Sequence, residues 1–144
     1  MPGPAEPWGA FNFLVEIDGI AEAGFSEVSG LSATTDIIEY RNGNDRENAV
    51  RKIAGLTRYG DIHLRRGMIA SNGLWDWLRA ASDGSADAVR NVAITLLDEA
   101  RQPLRRWSLT RARLVGYTAG PFDAAASLVA IEDIVMSVER LDVV

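Results

Sequence analysis

The chain contains no cysteine and a single histidine, and both shortages exclude kinds of chemistry. Without cysteine there is no disulfide framework, no thiolate metal site and no cysteine nucleophile. One imidazole, His63, cannot form the usual histidine-rich zinc site, and we expect it to be partly exposed on a strand beside Arg65. The thirteen glycines include neither GxGxxG nor GxxxxGK, so no phosphate-binding loop is visible. We therefore predict a protein without catalytic activity, metal or cofactor.

Long hydrophobic runs are also missing. No stretch approaches the roughly 18–20 apolar residues that a membrane-spanning helix needs. The first residues, MPGPAEPW, lack the basic and apolar regions of a secretory signal. The absence of cysteine is typical of a protein made in a reducing cytosol. A net charge of −5 argues against a general nucleic-acid binder.

The chain has 144 residues, 47 % of them hydrophobic, which suits a single domain over residues 1–144 with its own core. Its charges are unevenly distributed. Residues 1–39 hold seven acidic side chains and no basic one, whereas residues 40–66 hold seven basic side chains against three acidic ones. This contrast indicates either an ordinary solvated surface or acidic and basic faces that meet between copies of the chain.

Alternating apolar and polar residues predict several strands. In residues 11–18, Phe11, Phe13, Val15 and Ile17 fall on one face. Similar segments are 24–30, 34–41, 61–66, 90–98, 104–115 and 127–141. One helix is predicted where Leu74, Trp77, Leu78 and Ala81 recur at helical spacing after a possible cap at Ser71 or Asn72. The fold class is mainly β: an antiparallel barrel or sandwich with one flanking helix.

Two segments lack a regular pattern. Residues 1–10 contain three prolines and read as an irregular lead-in. Residues 42–60 are a long connection for a compact domain, and we interpret them as an extended loop. This loop carries Ile53, Leu56 and Tyr59, apolar groups that a solvated linker does not need, so we expect it to dock on another surface.

Apolar residues occur on both faces of some strands. The second face could be covered by the helix and loops or by neighbouring subunits. The tryptophans suggest a different possibility, a monomeric sandwich that binds a ligand on Trp75, Trp77 and Trp107, although the position of Trp77 on the apolar helix face is more typical of a core residue. The adjacent acids Glu132 and Asp133 point to opposite faces of a strand, so they cannot act as an acid–base pair.

The segment KIAGLTRYGDIHLRRGMIASNGLWDWL, residues 52–78, resembles the signature of the tail tube protein family of contractile phage tails and related injection particles. The similarity continues through FNFLVEIDG and GFSEVSGL upstream and through TRARLVGYTAGPFDA and VAIEDIVMSVERL downstream. One departure is ARLVGY, where many members carry a proline. A secreted hexameric ring of the type VI secretion kind is an alternative, but the Tyr-Gly-Asp and Leu-Trp-Asp-Trp motifs favour the tail branch.

The resemblance implies a homohexameric ring that stacks into a hollow tube, with no cofactor. The implied partners are other copies of the chain, a contractile sheath, baseplate or spike proteins, tube-terminating proteins, and cargo or DNA that passes through without specific binding. It further implies synthesis in the bacterial cytoplasm and assembly into a particle. The expected contacts between subunits and rings are Arg46, Arg51, Lys52, Ile53, Leu56 and Tyr59, and the expected helix-packing residues are Leu74, Trp77 and Leu78.

Overall fold

The fold was analysed in a computed structural model, which describes residues 7–9, 12–18, 24–41, 43, 50–126 and 129–144. A single α-helix and nine strands occur in this part of the chain. The strands are β1 (Phe13–Ile17), β2 (Glu27–Ser29), β3 (Ala33–Tyr40), β4 (Arg51–Tyr59), β5 (Ile62–Gly67), β6 (Val89–Leu97), β7 (Pro103–Ala119), β8 (Ile131–Ser137) and β9 (Arg140–Val143). The helix α1 spans Gly73–Ser82, and a 3-10 turn at Ala86–Ala88 leads into β6.

Seven of these strands form one antiparallel sheet in the order β1-β6-β7-β8-β5-β2, with β9 also paired to β7. The 17-residue strand β7 connects the two halves of the sheet. Its first part pairs with β6 and β9, and its second part pairs with β8. The register on β6 shifts between Arg90 and Val92, opposite Arg111, which has φ 55°. The side chain of Asn91 accepts the Arg111 N–H at 3.2 Å. Bulges of this kind bend a strand, which lets the sheet fold over its core.

The core is made by alternate residues of these strands, as period-2 patterning requires. Its buried members include Val15, Ile17, Ile62, Leu64, Val92, Ile94, Leu109, Leu114, Ile134 and Met136. On the helix, Leu74 and Trp77 are buried and Leu78 packs against the core. The indole Nε1 of Trp77 donates to the carbonyl of Ala88 at 2.9 Å, which joins the helix to the turn before β6.

The helix begins after Asn72, whose side chain forms no capping bond, while the hydroxyl of Ser71 accepts the Gly73 N–H at 3.3 Å. Among the described residues, no helix is long and apolar enough to cross a bilayer.

The mainly β fold class with one helix is confirmed, but the predicted extents of three segments were wrong. Residues 51–59, interpreted as part of a loop, form strand β4. The segment 127–141 is two strands, because β8 ends at Ser137 and β9 begins at Arg140; Ser127 and Leu128 lie outside the described residues. Strand β7 continues to Ala119 instead of ending at residue 115.

The structure tests one of the two explanations for apolar residues on both strand faces, coverage within the chain. On β6, Ala93 and Leu97 are buried, as are Val92 and Ile94 on the opposite face, so this strand is covered within the chain. Leu14 on β1 and Val129 before β8 are exposed. Coverage within the chain therefore accounts for β6, and burial of Leu14 and Val129 by neighbouring subunits stays a prediction.

Candidate assembly surfaces

Strands β3 and β4, together called the arm, pair with each other and with no other described strand. Nearly all of their residues are exposed; the exceptions are Asp36, Gly55 and Tyr59, which are partly buried. Two-stranded hairpins without further packing are marginally stable in water. The arm is therefore the part of the described chain that most lacks covering partners.

The apolar side chains of the arm lie on both of its faces. Ile38 stands opposite Ile53 on one face, and Ile37 stands opposite Ala54 on the other. The three isoleucines are each about half exposed, and Leu56 is 73 % exposed. A hairpin that presents apolar residues on two faces can bury them only between two other surfaces.

The middle of the arm contains a bulge. The register shifts between Thr35 and Ile37, so that Asp36 faces both Gly55 and Leu56. A Cβ on Gly55 would lie only 3.3 Å from the Ile38 side chain, which packs over the glycine. Arg58 and Asp36 form an ion pair at 3.0 Å across the two strands. These contacts fix the twist and register of the arm without covering it.

The arm joins the sheet at a tight base. Strand β2 pairs with β5, and β3 and β4 continue from these two strands, so the arm extends from the end of the sheet at which β5 begins. The Gly60 N–H donates to the Ser32 carbonyl at 3.2 Å. Gly30 has φ 90°, and a side chain there would collide with the Asp61 carbonyl oxygen. Glycine is required at this junction because two backbone segments touch.

The expected contact residues divide into three groups. Arg51, Lys52, Ile53 and Leu56 are exposed on β4. Tyr59 lies at the base of the arm, where it is partly buried and packs against the core. Arg46 lies outside the described residues.

Some of the charge contrast between residues 1–39 and 40–66 is neutralised within the chain. Arg65 binds Asp133 at 2.7 Å and Glu27 at 3.5 Å, and Arg58 binds Asp36. The hydrogen bond that Arg65 Nε donates to the Asp133 carboxylate, together with the charge of Asp133, raises the pKa of Arg65. These charges are therefore already paired within the chain.

A second apolar surface, called the end patch, consists of Met68, Ile69, Phe122 and Val129. Phe122 is 67 % exposed and Val129 is 74 % exposed, and both line a groove of about 260 Å³. The Met68 N–H donates to the carbonyl of Ala130 at 2.8 Å, which holds the end of β5 beside the start of β8. Val129 lies over Gly67, 3.6 Å from where a Cβ would stand. The patch therefore lies at the end of the sheet where β5 finishes.

Three polar residues inside the fold were not expected from the sequence. Arg66 and Glu132 are almost fully buried and pair at 2.6 Å, and the hydroxyl of Tyr117 donates to Glu132 at 2.7 Å. The Arg66 guanidinium also lies 5.4 Å from the centre of the Phe25 ring. The hydrogen bond to Glu132, followed by burial and the nearby charge, raises the pKa of Tyr117. The sequence did contain a signal for the burial of Arg66, because alternation places it on the same strand face as Ile62 and Leu64.

The described residues contain no group of three or more histidine, aspartate or glutamate side chains that could hold a metal ion. His63 is exposed, as expected. The tryptophans form no common platform: Trp77 is buried, Trp75 packs edge-on against Tyr117 at 5.5 Å, and Trp107 is partly buried beside the core.

Known structures share this architecture. A chain of the sheath–tube complex of an extracellular contractile injection system, PVC, in its extended state matches with 26 % identity and a TM-score of 0.84, covering 98 % of this chain and 93 % of the other. A chain of the anti-feeding prophage cap matches with 24 % identity and a TM-score of 0.84, covering 100 % and 95 %. Hcp1 from Flavobacterium johnsoniae has 16 % identity, a TM-score of 0.56 and coverage of 91 % and 93 %, which is a likeness of fold.

No curated protein matches the chain. The β-rich fold and these neighbours define the class as structural tube proteins of contractile tails and injection particles. The chain belongs to the T4-like virus tail tube protein gp19 family, whose model matches residues 9–142. The resemblance identified from the sequence motifs is thus confirmed.

Proposed function

We propose that six copies of this chain close into a ring and that the rings stack into a hollow tube inside a contractile sheath. The observation that carries this proposal is the arm, which has exposed apolar side chains on both faces and no partner strand in the described chain beyond its own pair. Neighbouring copies would bury both faces. The gain is about 25 cal/mol for each Å² of apolar surface covered.

Free strand edges support ring closure. Strands β1 and β2 stand at the two borders of the described sheet, and each pairs on one side only. Pairing between the borders of adjacent subunits would satisfy backbone groups that otherwise face water. Identical head-to-tail contacts close into a ring when the rotation between copies fits.

The structures similar to this chain support further partners, because they come from a sheath–tube complex, a tube-terminating cap and a baseplate. We assign this chain the same setting: a sheath around the tube, a baseplate or spike at one end and a terminating protein at the other. The chain has a mechanical role and no catalytic one. It is made in the bacterial cytoplasm, and cargo or DNA passes through its lumen without specific binding.

Electron microscopy of the purified chain tests this proposal. Annular particles with six subunits, and tubes built from them at higher concentration, are the expected result. A uniform population of single molecules at all concentrations would refute it.

A further inference from the structure

We propose that Met68 is a site of oxidation by hydroperoxides, and that its conversion to the sulfoxide makes the end patch polar and weakens association between copies of the chain. The effect on association rests on the proposed function, whereas the oxidation depends only on the exposure of one side chain.

Sulfur in this chain is confined to thioethers. The sequence has three methionines, Met1, Met68 and Met136, and no cysteine that would compete for an oxidant. Met136 has 0 % exposure, and its register places it between Ile62 on β5 and Leu114 on β7, within the core. Met68 is 41 % exposed, and Met1 lies outside the described residues. Because a peroxide must reach the sulfur atom, Met68 should react much faster than Met136.

The oxidation requires hydrogen peroxide as its only co-reactant. A lone pair of Met68 Sδ attacks one peroxide oxygen, so that an S–O bond forms and the O–O bond breaks. The departing hydroxide takes the proton of the transferred oxygen and leaves as water. Sulfur loses two electrons and the peroxide gains them, so the products are methionine sulfoxide and water. Methionine sulfoxide reductases reverse the change.

The backbone fixes Met68 among apolar neighbours. Its N–H donates to the Ala130 carbonyl at 2.8 Å, which holds the residue at the end of β5. The other three members of the end patch, Ile69, Phe122 and Val129, are between 47 % and 74 % exposed. All three side chains are hydrocarbons, so none can donate a hydrogen bond to a sulfoxide oxygen.

This composition decides in which state the sulfoxide is tolerated. In a single molecule, water solvates the sulfoxide oxygen, so the fold should be unaffected. Under the proposed function another copy covers the apolar patch, and the oxygen then loses water without gaining a donor from the patch side chains. Burying a polar group in this way is unfavourable. Oxidation therefore acts against association and leaves folding intact.

Peptide mapping tests the site. Trypsin cleaves after lysine and arginine, which places the three methionines on separate peptides, residues 1–41, 67–79 and 114–140. The folded chain treated with dilute hydrogen peroxide should gain one oxygen atom on peptide 67–79 well before peptide 114–140. Fragment spectra should place this atom on Met68 rather than on Trp75 or Trp77. In urea, where burial is lost, the two peptides should oxidise at similar rates. Equal rates in the folded chain would overturn the proposal.

Sedimentation before and after treatment tests the consequence. The oxidised wild type should need a concentration at least about tenfold higher to assemble, with an unchanged circular dichroism spectrum. The matched control is Met68→Leu, which keeps an apolar side chain of similar size and cannot form a sulfoxide at this position. This variant should assemble equally with and without peroxide. Methionine sulfoxide reductases should restore assembly of the oxidised wild type.

The outcomes separate the oxidation site from the proposed function. Unchanged assembly of wild type in which Met68 is fully oxidised would overturn the proposal, as would an equal loss in treated Met68→Leu. Loss of the folded spectrum on oxidation would contradict the exposed placement of the side chain. Untreated wild type that never assembles would instead refute the proposed function, and peptide mapping would still decide whether Met68 is the oxidised residue.

Discussion

At the scale of single residues, the buried Arg66–Glu132 ion pair is a feature whose loss should destabilise the fold strongly. Both side chains are almost fully buried, so neither charge can be hydrated if its partner is removed. Breaking a buried pair by neutralising one member typically costs about 3–5 kcal/mol. Register places Arg66 opposite Glu132 on neighbouring strands, so the pair also fixes how β5 lies against β8.

Glu132→Gln should therefore lower the free energy of unfolding by about 3–5 kcal/mol, measured by urea denaturation. The matched control is Asp133→Asn, one residue further along the same strand, whose partner Arg65 is exposed. Exposed ion pairs contribute little to stability, so the control should lose little. Equal losses in the two variants would contradict the account.

The raised pKa of Tyr117 gives a prediction for alkaline pH. The hydrogen bond to Glu132 requires the protonated phenol, and it raises the pKa of Tyr117 in the folded state. The stabilisation is therefore fully present below the unfolded pKa of about 10 and is lost as pH rises through the higher folded value. Tyr117→Phe should be less stable than wild type by about 1.5–3 kcal/mol at pH 8, the usual range for a hydrogen bond to a charged group.

This difference should shrink as the pH is raised above 10, since wild type alone loses the bond. Urea denaturation at several pH values provides the measurement. A difference that stays constant up to the highest pH would show that the phenol does not act through this bond.

At the scale of elements, the base of the arm depends on glycine. Gly30→Ala should destabilise the fold by at least about 1–2 kcal/mol, because φ 90° is unfavourable for alanine and its Cβ would collide with the Asp61 carbonyl. Gly24→Ala is the control, since nothing lies within 4 Å of its Cβ position. Thermal unfolding of both variants checks the comparison. An unaffected Gly30→Ala protein would mean that the base tolerates a side chain.

The charges of the arm are a separate matter from its stability. Replacing Arg46, Arg51 and Lys52 with glutamate should weaken assembly if these residues meet acidic surfaces of other copies. The control replaces Arg101, Arg105 and Arg106 with glutamate, which changes the net charge by the same amount at another site. Sedimentation of both variants, at low and high salt, measures the effect. Tube formation that is unchanged in the arm variant would count against the charge hypothesis.

The strands and the helix differ in how well they could be predicted from the sequence. Strands β1, β5 and β8 and the helix were identifiable because each has one buried face, which imposes a regular apolar spacing. Strand β4 was missed because it is exposed on both faces and its bulge at Gly55 shifts the alternation. The buried Arg66 was missed because arginine is normally a surface residue, and its partner Glu132 is distant in the chain.

At the scale of the whole molecule, the sheet and helix are packed against each other within the chain, whereas the arm and the end patch are exposed. The sheet and helix bury a continuous core within the chain. The arm and the end patch leave apolar side chains exposed at opposite ends of the sheet. This exposure does not stabilise a single molecule, and surfaces of this kind are typical of interaction sites. A tube subunit needs both properties, because it must fold before assembly and then bind its neighbours tightly.

Ile53→Asp with Leu56→Asp separates these two properties. Both side chains are exposed, so the fold should keep its thermal stability while the arm can no longer be buried at an interface. We expect assembly to be lost without loss of folding.

The mass in solution of wild type and of this arm variant, measured over the same concentration range, tests the central claim most directly. The account predicts that wild type sediments as hexamers and longer assemblies, whereas the variant stays a folded single molecule. Wild type and variant that sediment alike, whether both are assembled or both are monomeric, would contradict it.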